Sequence, residues 1–232
     1  MTNFMASFIR ALGQLGDPAI LKVLAKSITV TLVALAALGI GVWQAGAWAF
    51  AGWQVPYGAE IGAVLGVLAL VIGGWLLFRI IALAVLQFFA DEVVLAVEAK
   101  HYPQARESAR ALPFREDVRN SLKGLTRAVL VNLLVLPLAL VLLVTGIGTA
   151  LVFWAANAWL LGRELHDMVW LRHRSSPEDA PPLPAGQRFL LGGAIAALMA
   201  IPFVNLLAPI IGAATATHMV HRRRLADKNA TA

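Results

Sequence analysis

The sequence predicts an all-α membrane protein with two long transmembrane helices, two hemi-penetrating helical hairpins and an amphipathic N-terminal helix. Three observations lead to this fold class. Hydrophobic residues make up 59% of the 232-residue chain and charged residues only 14%, which is too little charge to cover a soluble domain of this size. The apolar residues fall into four blocks, and glycine or proline interrupts the two nearer the C-terminus. The basic residues lie mostly outside these blocks.

Residues 1–26 precede the first apolar block and are predicted to form an amphipathic N-terminal segment. Phe4, Phe8, Leu12 and Leu15 recur at helical spacing. A helix with this pattern is expected to lie on the membrane or on the helical bundle.

The first two blocks are predicted to be long helices, over 27–47 and 61–89. The first has about the 20 apolar residues needed to cross a bilayer core. A signal peptide is the alternative, because Ala47-Trp48-Ala49 resembles a cleavage site. The apolar run is, however, longer than the hydrophobic region of a typical signal peptide, which favours a retained helix.

The other two blocks are predicted to be hairpins, over 128–161 and 189–221. The first is interrupted at 145–148 and the second at Pro202 and Pro209. Arms of about 12–17 residues cover roughly 18–26 Å as helix, less than a bilayer core. We therefore expect each hairpin to enter and leave on one side, with four slightly short full spans as the alternative. Paired interrupted segments of this kind are typical of transport sites.

The distribution of charge predicts the orientation. Basic residues concentrate in 90–127, in 162–188 and in the tail 222–232, whereas 48–60 contains no lysine or arginine. By the positive-inside rule both termini are cytoplasmic, in a multi-pass protein of the cell inner (plasma) membrane. The net charge of +6 thus reflects orientation, and we expect no nucleic-acid partner.

The segment 90–127 is predicted to be a cytoplasmic helical segment, with breaks around Pro103 and Pro113. The segment 162–188 is predicted to be a cytoplasmic loop.

The chain resembles the CysZ-type sulfate permeases and the wider etoposide-induced protein family. The resemblance is carried by the stretch from Ile201 to Arg222, IPFVNLLAPIIGAATATHMVHR, by Asp17-Pro18, and by Pro137 with Gly146-Ile147-Gly148. It implies two long helices and two hemi-penetrating hairpins in an inner-membrane protein that is often oligomeric, so a homo-oligomer is an expected partner. For the CysZ branch it also implies passive uptake of sulfate.

Two departures place the chain closer to the wider family than to CysZ itself. Leu21 and Lys22 stand where the CysZ branch carries an arginine pair, so one cation is kept without the guanidinium fork. The sequence ADEVV from Ala90 replaces a Gly-Leu-Leu-Ala-Glu motif and places two carboxylates together.

Three residues are candidates for substrate binding: Lys22, Arg79 and Asn205. Lys22 is expected either to recruit an anion or to pair with lipid phosphate. Arg79 is the only basic residue inside an apolar block, so it either lines a path or extends to the interface. Asn205 follows Pro202 and matches the family signature.

Other polar residues in the apolar blocks are expected to have structural roles. Thr215 and Thr217 are predicted to bond back to their own helix, and Asn132 and Asn157 to cap helices or bond across them. No cofactor is expected, and no metal site, because His166, His218 and His221 have no partners at ligand spacing.

The sequence favours a passive permease or channel for a small inorganic oxyanion, sulfate first. The alternative is a non-transporting membrane scaffold or remodelling protein. Enzyme activity is not expected, because phosphate-binding loops, nucleophile elbows and H-E-x-x-H motifs are missing from the sequence and it has no cysteine. The expected partners are the lipid bilayer and the anion.

Overall fold

The computed structural model describes five stretches of the chain, and helix is the only regular structure in them. This confirms the all-α fold class. The described residues are 2–50, 89–110, 112–176, 178–202 and 204–231. Nearly all of the predicted long helix 61–89, including Arg79, lies outside them.

The chain divides into two compact units. One comprises Met1–Ile20 and Ala90–Ala232, and the other Leu21–Phe89. We label the helices α1 to α8 in chain order. They are α1 (Thr2–Gly13), α2 (Pro18–Phe50), α3 (89–101), α4 (Pro103–Glu107), α5 (Phe114–Val141), α6 (Ile147–Trp170), α7 (Ala185–Met199) and α8 (Ala208–Thr231).

The described part of the unit Leu21–Phe89 is mostly helix α2, which has 33 residues counted from Pro18. The predicted span 27–47 lies within this helix. Its segment Pro18–Ala37 is long and apolar enough to cross a membrane. The Lys26 ammonium group lies 4.6 Å from the centre of the Phe89 ring, a cation–π contact.

The larger unit is built around α8. From Ala208 to His221 every residue of this helix is buried, as expected for a helix at the centre of a bundle. Helix α8 packs against α1, α6 and α7, and α6 packs in turn against α5 and α7.

Helices α5 and α6 form the first predicted hairpin, with its break where the glycines predicted it. A 3₁₀ turn, Leu142–Thr145, is followed by Gly146 at φ 65°, a left-handed conformation that favours glycine. The Thr145 hydroxyl donates to the Leu142 carbonyl at 2.6 Å and accepts the Gly148 N–H at 2.9 Å. These bonds satisfy backbone groups of the break within the hairpin, as a lipid environment requires.

The first arm of this hairpin is longer than its apolar block predicts. Helix α5 begins at Phe114 and continues through Pro137 for 28 residues, or about 42 Å. The segment Phe114–Thr145 is long and apolar enough to cross a membrane. Most of its large apolar side chains are exposed, with Leu134 exposed by 77% and Val144 by 95%, a surface that suits lipid.

Helices α7 and α8 form the second predicted hairpin. Helix α7 has 15 residues, about 22 Å, and ends before the predicted break at Pro202. A second 3₁₀ turn, Val204–Leu206, then leads into α8. This short apolar arm agrees with the predicted arm length.

Helix α1 packs on α8, but through a different face from the one predicted. Phe4, Ala11 and the polar residues Ser7 and Gln14 are buried, whereas Leu12 is 42% exposed. Gln14 is turned inward because its hydrogen-bonding partner lies on α8.

The closest packing in the described structure joins α6 to α7. A Cβ atom added at Gly162 would collide with the Arg188 carbonyl group, and one added at Gly192 with the Ala158 carbonyl oxygen. Ala158 and Gly162 are one helical turn apart on α6, as Arg188 and Gly192 are on α7. Small residues at this spacing bring membrane helices together. The Trp154 indole N–H also donates to the Gly193 carbonyl at 3.0 Å.

We predict that Gly162→Ala lowers the free energy of unfolding by about 1–3 kcal/mol or more, the usual cost of overpacking. The added Cβ meets backbone atoms of Arg188, which cannot move aside as a side chain does. Thermal unfolding in detergent measures the effect. The matched control is Gly124→Ala in α5, where a Cβ meets no atom within 4 Å. Equal melting temperatures for the two variants would contradict the packing.

Candidate functional site

The structure places two of the three sequence-predicted binding residues. Lys22 is exposed on α2. Asn205 is buried in the 3₁₀ turn before α8, and its backbone N–H donates to the Ile201 carbonyl at 3.0 Å. Neither lines the cleft described next, and Arg79 lies outside the described residues. Their role in binding stays a prediction.

A cleft of about 750 Å³ opens between α5, the end of α6 and the start of α7. Its walls carry more positive than negative charge, with six basic and three acidic side chains. The basic residues are Lys123, Arg127, Arg163, Arg172, Arg174 and Arg188. The acidic residues are Asp91, Glu164 and Asp167. A cleft with this excess attracts small anions.

Three hydrogen-bond donors in the cleft wall have no acceptor among the described residues. They are Asn120 Nδ2, Arg163 Nε and Arg174 Nε, and all three atoms are buried. Arg163 Nε lies 3.6 Å from Asp167 Oδ2, close enough for an ion pair but too long for a hydrogen bond. A buried donor left unpaired costs about 1–3 kcal/mol.

Ion pairs fix one side of the cleft. Arg174 Nη2 donates to Glu116 Oε1 at 2.5 Å, and Arg110 Nη2 donates to Glu116 Oε2 at 3.1 Å. The Arg110 backbone N–H also donates to the Arg172 carbonyl at 2.8 Å. These bonds join the turn after α6 to the start of α5, so Arg172 and Arg174 are held in place.

In the sequence, the arginines of the cleft indicate only the orientation of the chain. The sequence gives little sign that they share a site, because Arg127 and Arg163 lie on different arms of a hairpin. Antiparallel arms that meet at Gly146 bring the two positions together.

A second polar cluster is buried in the same unit. Glu98 on α3 lies beside Val94 and Val97, which draw this face into the core. Glu98 Oε1 accepts hydrogen bonds from His173 Nε2 at 2.7 Å and His221 Nε2 at 2.9 Å. Burial alone would raise the pKa of Glu98, but these two bonds outweigh it and lower the pKa from 4.5 to about 2. Glu98 is therefore ionised.

The expectation that His221 has no partner at ligand spacing is therefore wrong. Glu98 is separated from His173 by 75 residues and from His221 by 123. Short-range spacing in the sequence does not reveal partners this far apart.

A chain of hydrogen bonds next to this cluster ties α1 to α8. Gln14 Nε2 donates to His218 Nε2 at 2.9 Å and lies 2.7 Å from His101 Nε2. The Tyr102 hydroxyl is hydrogen-bonded to His218 Nδ1 at 2.8 Å. Burial raises the pKa of Tyr102, so its hydroxyl stays protonated.

Other polar residues have the structural roles predicted for them. Thr215 and Thr217 donate to the carbonyls of Ile211 and Ala213, each at 2.7 Å, which confirms the prediction of bonds back to their own helix.

Asn132 and Asn157, predicted to cap helices or bond across them, instead bond within their own helices. The Asn132 amide donates to the Ala128 carbonyl and the Asn157 amide to the Phe153 carbonyl, each at 2.8 Å. Both side chains satisfy backbone carbonyls one turn earlier in their helix.

Two of the described helical segments are long and apolar enough to cross a membrane, as expected for a helical membrane protein. The chain belongs to the Sulfate transporter CysZ/Etoposide-induced protein 2.4 family, whose model matches residues 7–209. This confirms the resemblance to the wider family. No curated protein and no solved structure matches the chain significantly.

We predict that Gln14→Leu loosens α1. The change removes the bonds to His101 and His218 and leaves buried imidazole nitrogens unpaired, so the free energy of unfolding should fall by about 1–3 kcal/mol. Hydrogen exchange should become faster in Thr2–Gly13. The control is Gln104→Leu in α4, where the side chain is exposed; equal exchange rates in α1 for the two variants would argue against the tie.

Proposed function

We propose that the protein is a passive permease for a small oxyanion such as sulfate. The observation that carries the proposal is the basic cleft, whose walls carry six basic and three acidic side chains. An oxyanion supplies several acceptor oxygens at once and is attracted by the surplus positive charge. Membership of the sulfate transporter family supports this assignment.

The mixed charge of the cleft suits transport better than storage. Guanidinium groups bind oxyanions through paired hydrogen bonds, which compensates for the water that the anion loses. Asp91, Glu164 and Asp167 oppose an anion and weaken its binding. A permeating ion must bind well enough to enter and weakly enough to leave, and this balance meets both demands.

Lys22 and Asn205 extend the proposal beyond the cleft. Lys22 is exposed on α2 and provides a second point charge for anion recruitment. Asn205 comes shortly before the first residue of α8, Ala208, where the helix dipole favours negative charge.

We place both termini and the cleft on the cytoplasmic side of the cell inner membrane. The basic loops support this orientation through the positive-inside rule. The hairpins then enter from the cytoplasm and return to it. The 15-residue length of α7 supports incomplete penetration for the second hairpin.

A non-transporting scaffold is the second candidate. It is favoured by the burial of Asn205 outside the cleft, since a scaffold needs a packed bundle without a solute path at this position.

We expect sulfate flux into proteoliposomes, and we expect Arg127→Gln combined with Arg163→Gln to reduce it about tenfold or more, because each change removes a charged donor worth about 1.5–3 kcal/mol. Radiolabelled sulfate uptake is the measurement. The control combines Arg106→Gln with Arg115→Gln, which removes the same charge from exposed positions outside the cleft.

Two results would count against this proposal. Flux equal to that of empty liposomes, with folded and inserted protein, would eliminate the permease and favour the scaffold. Equal flux in the cleft and control variants would show that the cleft is not on the path of the anion. Lys22→Gln would then test whether Lys22 recruits the anion.

The chain has no cysteine, so single cysteines can report the depth of each hairpin. Val144→Cys and Ile201→Cys lie at the two breaks, at side chains exposed by 95% and 49%. We expect neither to react with an impermeant thiol reagent added from outside. Gln54→Cys should react from outside and Ser175→Cys only from the cytoplasm. Reaction of Val144→Cys or Ile201→Cys from outside would show that the hairpin crosses the membrane completely.

A further inference from the structure

Three side chains from distant parts of the chain converge in the core. Glu98 comes from α3, His173 from the turn after α6, and His221 from α8, and they are exposed by 0%, 6% and 3%. One potential ligand atom from each lies within 4.8 Å of the other two. Two imidazole nitrogens and a carboxylate oxygen form a ligand set that zinc and other divalent transition metals prefer.

The hydrogen bonds in this cluster leave binding capacity unused. Both histidines donate to the same oxygen, Glu98 Oε1, whereas Oε2 is buried without a hydrogen-bond partner among the described residues. A buried carboxyl oxygen without a partner is costly. Where no further hydrogen-bond donor is within reach, a cation can pair with such an oxygen instead.

The distances are close to those of a metal centre. Ligand atoms at about 2.0–2.2 Å from a tetrahedral zinc ion are about 3.3 Å from one another. Each histidine Nε2 is now 2.7 or 2.9 Å from Glu98 Oε1. Entry of an ion would require these pairs to separate by about 0.5 Å, and the widest pair of ligand atoms, now within 4.8 Å, to close toward the same distance. Each Nε2 proton would move to Nδ1 or to solvent, so that each imidazole binds the ion as a neutral ligand with its remaining proton on Nδ1.

The neighbours hold the two imidazoles in position. The His173 and His221 rings are 4.8 Å apart in an edge-to-face contact, and the Tyr102 ring is 4.7 Å from that of His221. Arg224 Nη2 donates to the His173 carbonyl at 3.2 Å. Ligands fixed in this way lose little entropy when they bind a metal.

We propose that Glu98, His173 and His221 bind one divalent transition-metal ion, with Zn²⁺ as the first choice. The ion would join α3, the turn after α6 and α8, and would leave a coordination position for water. This site is separate from the proposed anion cleft, because none of the three ligands lines it.

The test uses the full chain without an affinity tag, purified in detergent and treated with a chelator. Zn²⁺ is added, and the bound metal is measured by mass spectrometry after gel filtration. We expect one ion per chain and a higher melting temperature. Cobalt(II) in place of zinc should give the visible absorption of a tetrahedral site. Neither readout involves sulfate, so this proposal can fail independently of transport.

Variants identify the ligands. Glu98→Gln and His221→Gln should each weaken Zn²⁺ binding by more than about 100-fold, because loss of a direct ligand exceeds the 10–100-fold effect of losing a supporting residue. His166→Gln is the matched control, since His166 is equally buried on α6 but outside the cluster. It should bind Zn²⁺ like the unmodified chain.

Two outcomes would overturn the site. One is a folded, unmodified chain that binds well below one Zn²⁺ ion and shows no rise in melting temperature. The other is equal Zn²⁺ affinity in Glu98→Gln and His166→Gln. If Glu98→Gln does not fold, Glu98→Asp keeps the charge, and its affinity is compared with the same control. The stoichiometry of the unmodified chain still decides the question.

Discussion

The close approach of α6 and α7 is the constraint on which the larger unit depends. Lipid provides little hydrophobic drive for helix association, so contact has to come from close packing of small residues. Gly162 and Gly192 allow this contact by leaving room for backbone carbonyls. The same contact places Arg163 and Arg188 on one wall of the cleft, and α6 continues to the turn that carries His173. Both polar sites are thus positioned by glycines that have no chemistry of their own.

The buried polar groups of this unit fall into two sets, those that have a hydrogen-bond partner and those that do not. The backbone break at Gly146 is closed by Thr145, and the hydroxyl groups of α8 are bonded to their own helix. In contrast, three donors in the cleft and one oxygen of Glu98 have no partner among the described residues. Other buried atoms without a partner, such as Gln187 Oε1 and Arg222 Nη1, lie outside both places, so function is assigned where an unpaired atom also belongs to a charged cleft or a ligand cluster.

The sequence predicts local features well here and distant partners poorly. Gly146 and Pro202 predict the helix breaks because backbone conformation is a property of the residue itself, and Thr215 is predicted to bond to its own helix for the same reason. Helix α5 begins before its apolar block, at Phe114, directly after the break predicted at Pro113, so proline gives its start where the apolar composition does not. The partners of Glu98 and the shared position of Arg127 and Arg163 depend on how helices pack, which a single sequence does not reveal.

The bond between Gln14 and His218 also has a consequence for biosynthesis. The two residues are separated by 204 positions, and a ribosome adding about 5–20 residues per second needs about 10–40 s to complete that interval. Throughout this time the face of α1 that carries Phe4 has no α8 to cover it, and the bilayer surface is the nearest apolar phase. Helix α1 is therefore made well before it can reach its final place, and the synthesis of α8 sets the time at which α1 docks.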